Sequence, residues 1–213
     1  MKAVIFDLDN TLFDHTGSAA AAVRTWLPEL GADPTDELVA AWFAIEERAY
    51  ARWLSGELTH QGQRRARLHE FLPLLNHPVP PTDQAQDDFF EGYLTHYRAN
   101  WSAYPDAEPA LKLAQSNNWR IGILTNGTTA QQTAKLETIG LAPYLDAICT
   151  TESLGLSKPH PDAYLRTCAA LTTAPTETLM IGDNLALDVQ APQAAGLTAR
   201  HLNRPTNTLL DLL

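Results

Sequence analysis

Cysteine, basic residues and long apolar runs are all scarce in this sequence, and each shortage excludes a class of protein. Two cysteines, Cys149 and Cys168, among 213 residues are too few for a disulfide framework and lack the spacing of a metal site, so we expect reduced thiols in a cytoplasmic protein. No apolar run approaches the ~20 residues that a membrane-spanning helix needs. The chain also enters a strand so early that a signal peptide is not expected. The 15 Lys and Arg against 25 Asp and Glu leave a net charge of −10, which argues against nucleic acid or an anionic membrane as a partner.

The composition that remains is typical of a folded globular protein. Hydrophobic residues make up 45% of the chain and charged residues 19%, which is not the balance of a disordered protein. The length suits one large domain, or a core domain that carries a smaller insert.

A helical region follows the first apolar run of the chain. From about residue 18 to 100 the pattern is helical and contains no convincing strand. Gly31 is expected to end the first helix, and Thr35, Thr59 and Thr82 are expected to cap the next three. Four consecutive helices rich in aromatic residues predict a small helical bundle.

Strands and helices alternate in the rest of the chain. The predicted strands, counting the one at the N-terminus, are Val4–Phe6, Ile121–Leu124, Ala147–Thr150, Leu179–Ile181 and Thr198–Leu202. A helix is expected to follow Asp183 and to end at Gly196. This alternation predicts an α/β fold with a doubly wound parallel, Rossmann-like sheet. Because the first strand precedes the helical block and its partners follow it, we expect a core domain of residues 1–14 and 104–213 with an inserted helical domain of residues 15–103.

Polar residues follow three of these strands. Asp7 and Asp9 come directly after the first strand, Thr125 and Asn126 end the second, and Asp183 follows the fourth. A single aspartate after a strand is often no more than a turn or capping residue. These residues instead recur at strand ends that meet at one edge of a parallel sheet, where α/β proteins bind ligands.

The expected crowding of carboxylates predicts a cation. Asp7, Asp9, Asp183 and Asp188 cannot all be ionised in one partly buried site unless positive charge compensates them, and Lys158 alone is too little. A hard divalent ion with oxygen ligands, Mg²⁺, fits best. Together with hydrogen-bond donors for an anion near Asn126, such a site suits a phosphate group and phosphoryl transfer.

The segments that carry these residues resemble the four motifs of the haloacid dehalogenase superfamily, and they stand in the same order. They are Asp7-Leu8-Asp9-Asn10-Thr11, Thr125-Asn126-Gly127, Lys158-Pro159 and Gly182-Asp183-Asn184-Leu185-Ala186-Leu187-Asp188. The helical insert lies where that superfamily places its cap. One such motif is weak evidence, whereas four in order over most of the chain are highly specific.

The resemblance implies a metal-assisted phosphatase. It makes Asp7 the nucleophile that forms an aspartyl-phosphate, and Asp9 the general acid and then the base. Mg²⁺ would be held by the Asp7 carboxylate, the Asp9 backbone carbonyl and Asp183. Asp188, and less securely Asn184, would support the metal-bound waters.

The remaining motif residues would bind the phosphoryl group. Thr125 and the backbone at Asn126 would donate hydrogen bonds to it, and Lys158 would tie Asp7 to it. Thr11 would help to fix the loop that carries Asp9.

The same residues separate branches of the superfamily. Dehalogenases lack an acid two residues after the nucleophile, so the presence of Asp9 argues against dehalogenation. Phosphonate hydrolases use a lysine of the cap, and residues 15–100 contain seven arginines and no lysine. The second motif resembles the nucleotidase and sugar-phosphatase branch, which predicts a small phosphorylated metabolite as substrate. Two alternatives stay open: a phosphomutase of the β-phosphoglucomutase type, and a protein that binds a phosphate ligand without turnover.

The cap is expected to select the substrate. Residues 56–60 resemble a cap turn that faces the active site in relatives, which makes His60 a candidate for substrate contact. Arg64, Arg65 and Arg67 are better explained as a solvated helix face. Trp42 and Trp53 are expected in the bundle core. The sequence is compatible with a monomer or a homodimer.

Overall fold

The chain forms two compact units, of which one interrupts the other in sequence. A computed structural model describes residues 1–204 and 206–213. The first unit, here called the core unit, is Met1–His15 with Trp101–Leu213, and the second, the inserted unit, is Thr16–Asn100. Across the described ranges, no helix has both the length and the apolar character that a membrane span requires.

The core unit contains a five-stranded sheet in which every neighbouring pair is parallel. The strands are β1 (Ala3–Phe6), β2 (Arg120–Thr125), β3 (Ala147–Thr150), β4 (Thr178–Gly182) and β5 (Thr198–His201), in the order β3-β2-β1-β4-β5. All residues of β1 and β4 are buried, as expected for strands covered on both faces. The predicted α/β class and parallel sheet are confirmed.

The inserted unit is made of four long helices joined by short turns. They are α1 (His15–Trp26), α2 (Asp36–Leu54), α3 (His60–Phe71) and α4 (Asp83–Ala99). Thr35, Thr59 and Thr82 cap the last three, each accepting a hydrogen bond from the backbone N–H three residues later. The first helix gives way after Trp26 to a tighter 3₁₀ turn, Leu27–Leu30, which has Pro28 in its first positions and ends at the left-handed Gly31.

Aromatic side chains fill the centre of the inserted unit. The fully buried Trp42 ring lies 4.5 Å from Tyr93 and 4.8 Å from Phe71, between ring centroids. Trp53 is only half-buried and its ring lies 5.3 Å from that of His60 at the start of α3, so the expectation that it joins the core was wrong.

Arg67 also departs from the predicted solvated face. It is 5% exposed, pairs with Glu46 at 2.8 Å and lies over the Trp42 ring at 4.2 Å. Arg65 does lie toward the surface, where it pairs with Asp83 and Asp87. The charged row was therefore misread at Arg67, whose guanidinium packs on aromatic faces while keeping a carboxylate partner.

Five helices accompany the sheet of the core unit. They are α5 (Ala107–Ser116), α6 (Thr129–Thr138), α7 (Thr151–Leu154), α8 (Pro161–Ala170) and α9 (Ala191–Ala194). The expected single helix between Asp183 and Gly196 is replaced by a wide π-helical turn, Leu185–Gln190, followed by α9. The Ala191 N–H bonds to the Ala186 carbonyl five residues back, and Pro192 has no N–H with which to restore the regular spacing.

Candidate active site

The predicted site residues lie at the carboxyl edge of the three central strands. Asp7 directly follows β1, and its N–H donates to the Ile181 carbonyl of β4 at 2.9 Å. Thr125 is the last residue of β2, and Asp183 directly follows β4. Because β1 pairs with β2 on one side and with β4 on the other, the fold brings these positions together from distant parts of the chain.

Lys158 connects two of the carboxylates. Its Nζ atom lies 2.6 Å from Asp7 Oδ1 and 2.6 Å from Asp188 Oδ1, and its side chain is 3% exposed. Burial alone would lower the pKa of the Lys158 ammonium, but the carboxylates of Asp188 and Asp7 outweigh burial and raise that pKa. The lysine is therefore held in its charged form between two carboxyl groups.

Asn126 fixes the backbone of Lys158. Its side-chain nitrogen donates to the Lys158 carbonyl at 3.0 Å, and its side-chain oxygen accepts from the Lys158 N–H at 2.8 Å. Both ends of the amide are therefore used in holding the loop. Only the backbone N–H of Asn126 could therefore make the predicted contact with a phosphate group.

Three carboxylates form a cluster that could hold a metal ion. Oxygen atoms of Asp7, Asp183 and Asp188 lie within 4.8 Å of one another. Burial raises the pKa of the Asp7 carboxyl to about 8, against the opposing effect of Lys158, and the charges of Asp188 and Asp183 add to the rise. Burial and the Asp188 charge also raise the pKa of Asp183. The oxygen atoms are close enough to bind one cation together, and such a cation would offset the burial and mutual repulsion of their charged forms.

Asp9 points to a different set of partners. Its Oδ1 atom lies 2.5 Å from the Nζ atom of Lys135, and its Oδ2 atom accepts from Gln132 Nε2 at 2.9 Å. Burial would raise the pKa of the Asp9 carboxyl, but Lys135 and His15 outweigh burial and lower that pKa. The two aspartates of the first motif therefore lie in different electrostatic environments, Asp7 beside other carboxylates and Asp9 beside the Lys135 ammonium.

Sequence reasoning missed Lys135 and Gln132. Both belong to α6, three residues apart and hence on one face of the helix, shortly after the motif that contains Thr125. The three-residue spacing could have indicated that both side chains lie on the same side of α6. A buried lysine, however, is indistinguishable from a solvated one when only the sequence is known.

Two glycines allow side chains to approach the backbone at the site. A Cβ atom on Gly182 would lie 2.4 Å from the Asp188 carboxyl group, and one on Gly127 would lie 2.5 Å from the side chain of Gln132. Both glycines belong to the four motifs, and their role here is steric.

The remaining predicted residues occupy the following places. The Thr11 hydroxyl donates to Asp7 Oδ2 at 3.3 Å, so it contacts the nucleophile candidate directly. Asn184 uses its side-chain oxygen to cap the turn that begins at Leu185. Because that oxygen is already used, only the amide nitrogen of Asn184 could contact metal-bound waters, and this contact stays a prediction. His60 is the first residue of α3 and its ring lies 5.3 Å from Trp53, while its contact with substrate stays a prediction.

Comparison with known proteins decides the family. A family model described as haloacid dehalogenase-like hydrolase matches residues 1–196. The chain belongs to this family of hydrolases. The match spans β1 to β4, all four motifs and the inserted helices, so the family resemblance inferred from the sequence is confirmed.

Relatives within the haloacid dehalogenase-like family are named as phosphatases. The ribulose-1,5-bisphosphate 5-phosphatase of Halopiger xanaduensis is 34% identical over 200 residues, which cover 92% of this chain and 82% of that protein. The phosphoglycolate phosphatase of Cereibacter sphaeroides is 33% identical over 203 residues, which cover 92% of this chain and 83% of that protein. The prediction of a phosphatase is confirmed by these relatives.

A solved structure of the same family supports the fold. A HAD hydrolase of Bacillus subtilis, determined with bound magnesium, matches with a TM-score of 0.83 at 21% identity, covering 97% of this chain and 90% of that protein. At this identity the likeness concerns the fold alone.

Proposed function

We propose that this phosphatase hydrolyses a small phosphorylated metabolite in a magnesium-dependent reaction that proceeds through an aspartyl-phosphate on Asp7. The observation that carries the proposal is the meeting of Asp7, Lys158, Asp183 and Asp188 at the carboxyl edge of the central strands. A nucleophile, a fixed cation and a cluster of oxygen ligands are the parts that phosphoryl transfer needs.

The oxygen ligands suit magnesium. Asp7, Asp183 and the backbone carbonyl of Asp9 would hold the ion, because Mg²⁺ prefers a few carboxylate or carbonyl oxygens and retains several waters. Asp188 already accepts from Lys158 and from the Asn184 N–H at 3.1 Å, which favours a supporting role. When bound, the ion would neutralise charge on the phosphoryl group and draw it toward Asp7.

The first step transfers the phosphoryl group to Asp7. A carboxylate oxygen of Asp7 forms a bond to phosphorus as the bond from phosphorus to the leaving oxygen breaks, and Asp9 gives that oxygen a proton. Lys158 offsets the charge on Asp7, and Thr125 donates its hydroxyl proton to the phosphoryl group. Thr125 is suited to this because its oxygen already accepts from Gln132 Nε2 at 2.6 Å, which directs its proton elsewhere.

The second step returns the enzyme to its starting state. A water molecule attacks phosphorus and gives a proton to Asp9, the bond from phosphorus to Asp7 breaks, and inorganic phosphate leaves.

The names of the relatives and the second motif both indicate a substrate class. The relatives are named for ribulose bisphosphate and phosphoglycolate, and the second motif resembles the nucleotidase and sugar-phosphatase branch. We therefore place the substrate among sugar phosphates, nucleoside monophosphates and similarly small phosphorylated metabolites.

The test is a screen of phosphate release with and without magnesium. We expect turnover of at least one sugar phosphate, nucleotide or phosphoglycolate, its loss on chelation and recovery with added Mg²⁺. Asp7→Asn should lower kcat by at least about 1,000-fold, because no other group can replace the nucleophile. Asp162→Asn, an exposed aspartate of α8, is the matched control and should keep full activity.

Two results would contradict the proposal. Failure of the wild-type protein to release phosphate from any of these esters in the presence of Mg²⁺ would remove the hydrolase assignment. Conversion of a hexose phosphate to its isomer without free phosphate would show a mutase instead.

A further inference from the structure

The side chains of Lys135 and Gln132 hold the Asp9 carboxylate from two directions. Lys135 Nζ lies 2.5 Å from one oxygen of Asp9, and Gln132 Nε2 lies 2.9 Å from the other. Both donors come from α6, whose fixed backbone sets the direction from which each approaches. Neither residue belongs to the motifs that carry the family resemblance.

Stability alone does not account for Lys135. Its side chain is 2% exposed, and a buried ammonium costs more in lost hydration than a hydrophobic side chain of similar size. Its ammonium also lies 4.5 Å from the centre of the Phe13 ring, which compensates only part of that cost. The contact with Asp9, whose side chain is 35% exposed, is what a lysine provides here and a methionine could not.

The arrangement gives each oxygen of Asp9 a donor and leaves the side chain partly exposed. A carboxylate has about four lone-pair positions, and Lys135 and Gln132 occupy one on each oxygen. Gln132 also donates to Thr125, so one amide sets the relative position of the phosphate-binding hydroxyl and the acid–base carboxylate.

We propose that Lys135 and Gln132 are positioning residues that orient the Asp9 carboxylate for its proton transfers. This inference rests on the proposed function, in which Asp9 protonates the leaving oxygen.

The dependence on the leaving group distinguishes this role from a structural one. An alkyl alkoxide must receive a proton as it departs, whereas 4-nitrophenolate is stable enough to leave without one. The kinetic constant kcat/KM reports the formation of the aspartyl-phosphate. A positioning defect in Asp9 should therefore lower kcat/KM for alkyl phosphates far more than for 4-nitrophenyl phosphate.

The experiment compares an alkyl phosphate with 4-nitrophenyl phosphate in full-length variants. We expect Lys135→Met to lower kcat/KM by about 10- to 100-fold for the alkyl ester and by less than about threefold for the nitrophenyl ester. Lys135→Arg should recover part of the loss, since it keeps a cation. Adding Lys135→Met to Asp9→Asn should cause no further loss, because the group that Lys135 positions is already absent.

Controls and outcomes separate this inference from the proposed function. Lys112→Met removes an exposed lysine of α5 that pairs with Glu108, and it should leave both constants unchanged. Retained turnover of 4-nitrophenyl phosphate shows that the Lys135 variant is folded. Equal losses with both esters, or an additive loss in the double variant, would overturn the positioning role alone. A wild-type protein without turnover would overturn the proposed function and this inference with it.

Discussion

At the scale of single residues, the site depends on side chains packed closely against glycine backbone. The Asp188 carboxyl group occupies the space that a Cβ atom on Gly182 would need. Asp188 is 1% exposed and holds Lys158, which in turn holds Asp7. A methyl group added at Gly182 would therefore displace Asp188 and, through it, Lys158 and Asp7.

Gly182→Ala tests this close approach. The added methyl group must displace Asp188 or bend β4, which we expect to cost about 1–3 kcal/mol in the free energy of unfolding. Because Lys158 moves with Asp188, activity should fall by up to about 100-fold, as for other small displacements of catalytic groups. Thermal unfolding and steady-state kinetics measure the two effects. Full activity in a stably folded variant would contradict the argument.

At the scale of elements, the loop after β1 is anchored from the far end of the chain. Arg204 donates to the backbone carbonyl of Thr11 and, at 3.4 Å, to that of Asn10. The guanidinium also pairs with Asp106 at 3.0 Å and lies 3.5 Å from the centre of the Tyr104 ring. An arginine with these contacts restrains the loop that carries Asp9 and its backbone carbonyl.

Arg204→Met should loosen this loop. The loss of charge-assisted hydrogen bonds is expected to cost about 1.5–3 kcal/mol in stability. The half-saturating Mg²⁺ concentration should also rise, because the Asp9 carbonyl is a proposed ligand. Arg166→Met is the matched control, since Arg166 donates to the Leu154 carbonyl of the core unit. A magnesium requirement unchanged from the wild type would show that Arg204 does not act on the loop.

The same scale shows where local sequence patterns succeed and fail. Buried strands such as β1 and β4 were predicted because a short, unbroken apolar run is typical of a strand that is covered on both faces. The predicted helix after Asp183 was wrong in type, because its hydrogen-bond spacing depends on Pro192 and on tertiary packing around Asp188. Arg67 was wrongly predicted to be exposed, because helical periodicity gives the side of the helix on which a residue lies. It does not show whether neighbouring helices bury that side.

At the scale of the whole molecule, an excess of negative charge accompanies a local cluster of carboxylates in the core unit. The chain carries a net charge of −10, and three carboxylates of the core unit lie within 4.8 Å. Lys158 pairs with Asp7 and Asp188, and burial together with neighbouring carboxylates raises the pKa values of Asp7 and Asp183. A bound divalent cation would therefore stabilise the folded core against the unfolded chain.

Magnesium should raise the unfolding temperature of the protein. At 100 times its dissociation constant a ligand of the folded state adds about 2.7 kcal/mol. We expect this shift to disappear in Asp183→Asn, which removes a proposed ligand, and to persist in Asp162→Asn. Differential scanning calorimetry with and without Mg²⁺ measures it. An equal shift in wild type and Asp183→Asn would place the ion elsewhere.

The sequence by itself determined the fold class, the order of the motifs and the identity of Asp7, Asp9, Lys158 and Asp183 as candidates. These follow from local patterns, because apolar periodicity and the residue types after each strand are written in neighbouring positions. Tertiary structure alone decided which partner each group has. Lys158 lies between Asp7 and Asp188, whereas Lys135 pairs with Asp9. Burial and charge pairing join residues 30 to 151 positions apart, so they determine pKa values and roles that no local pattern contains.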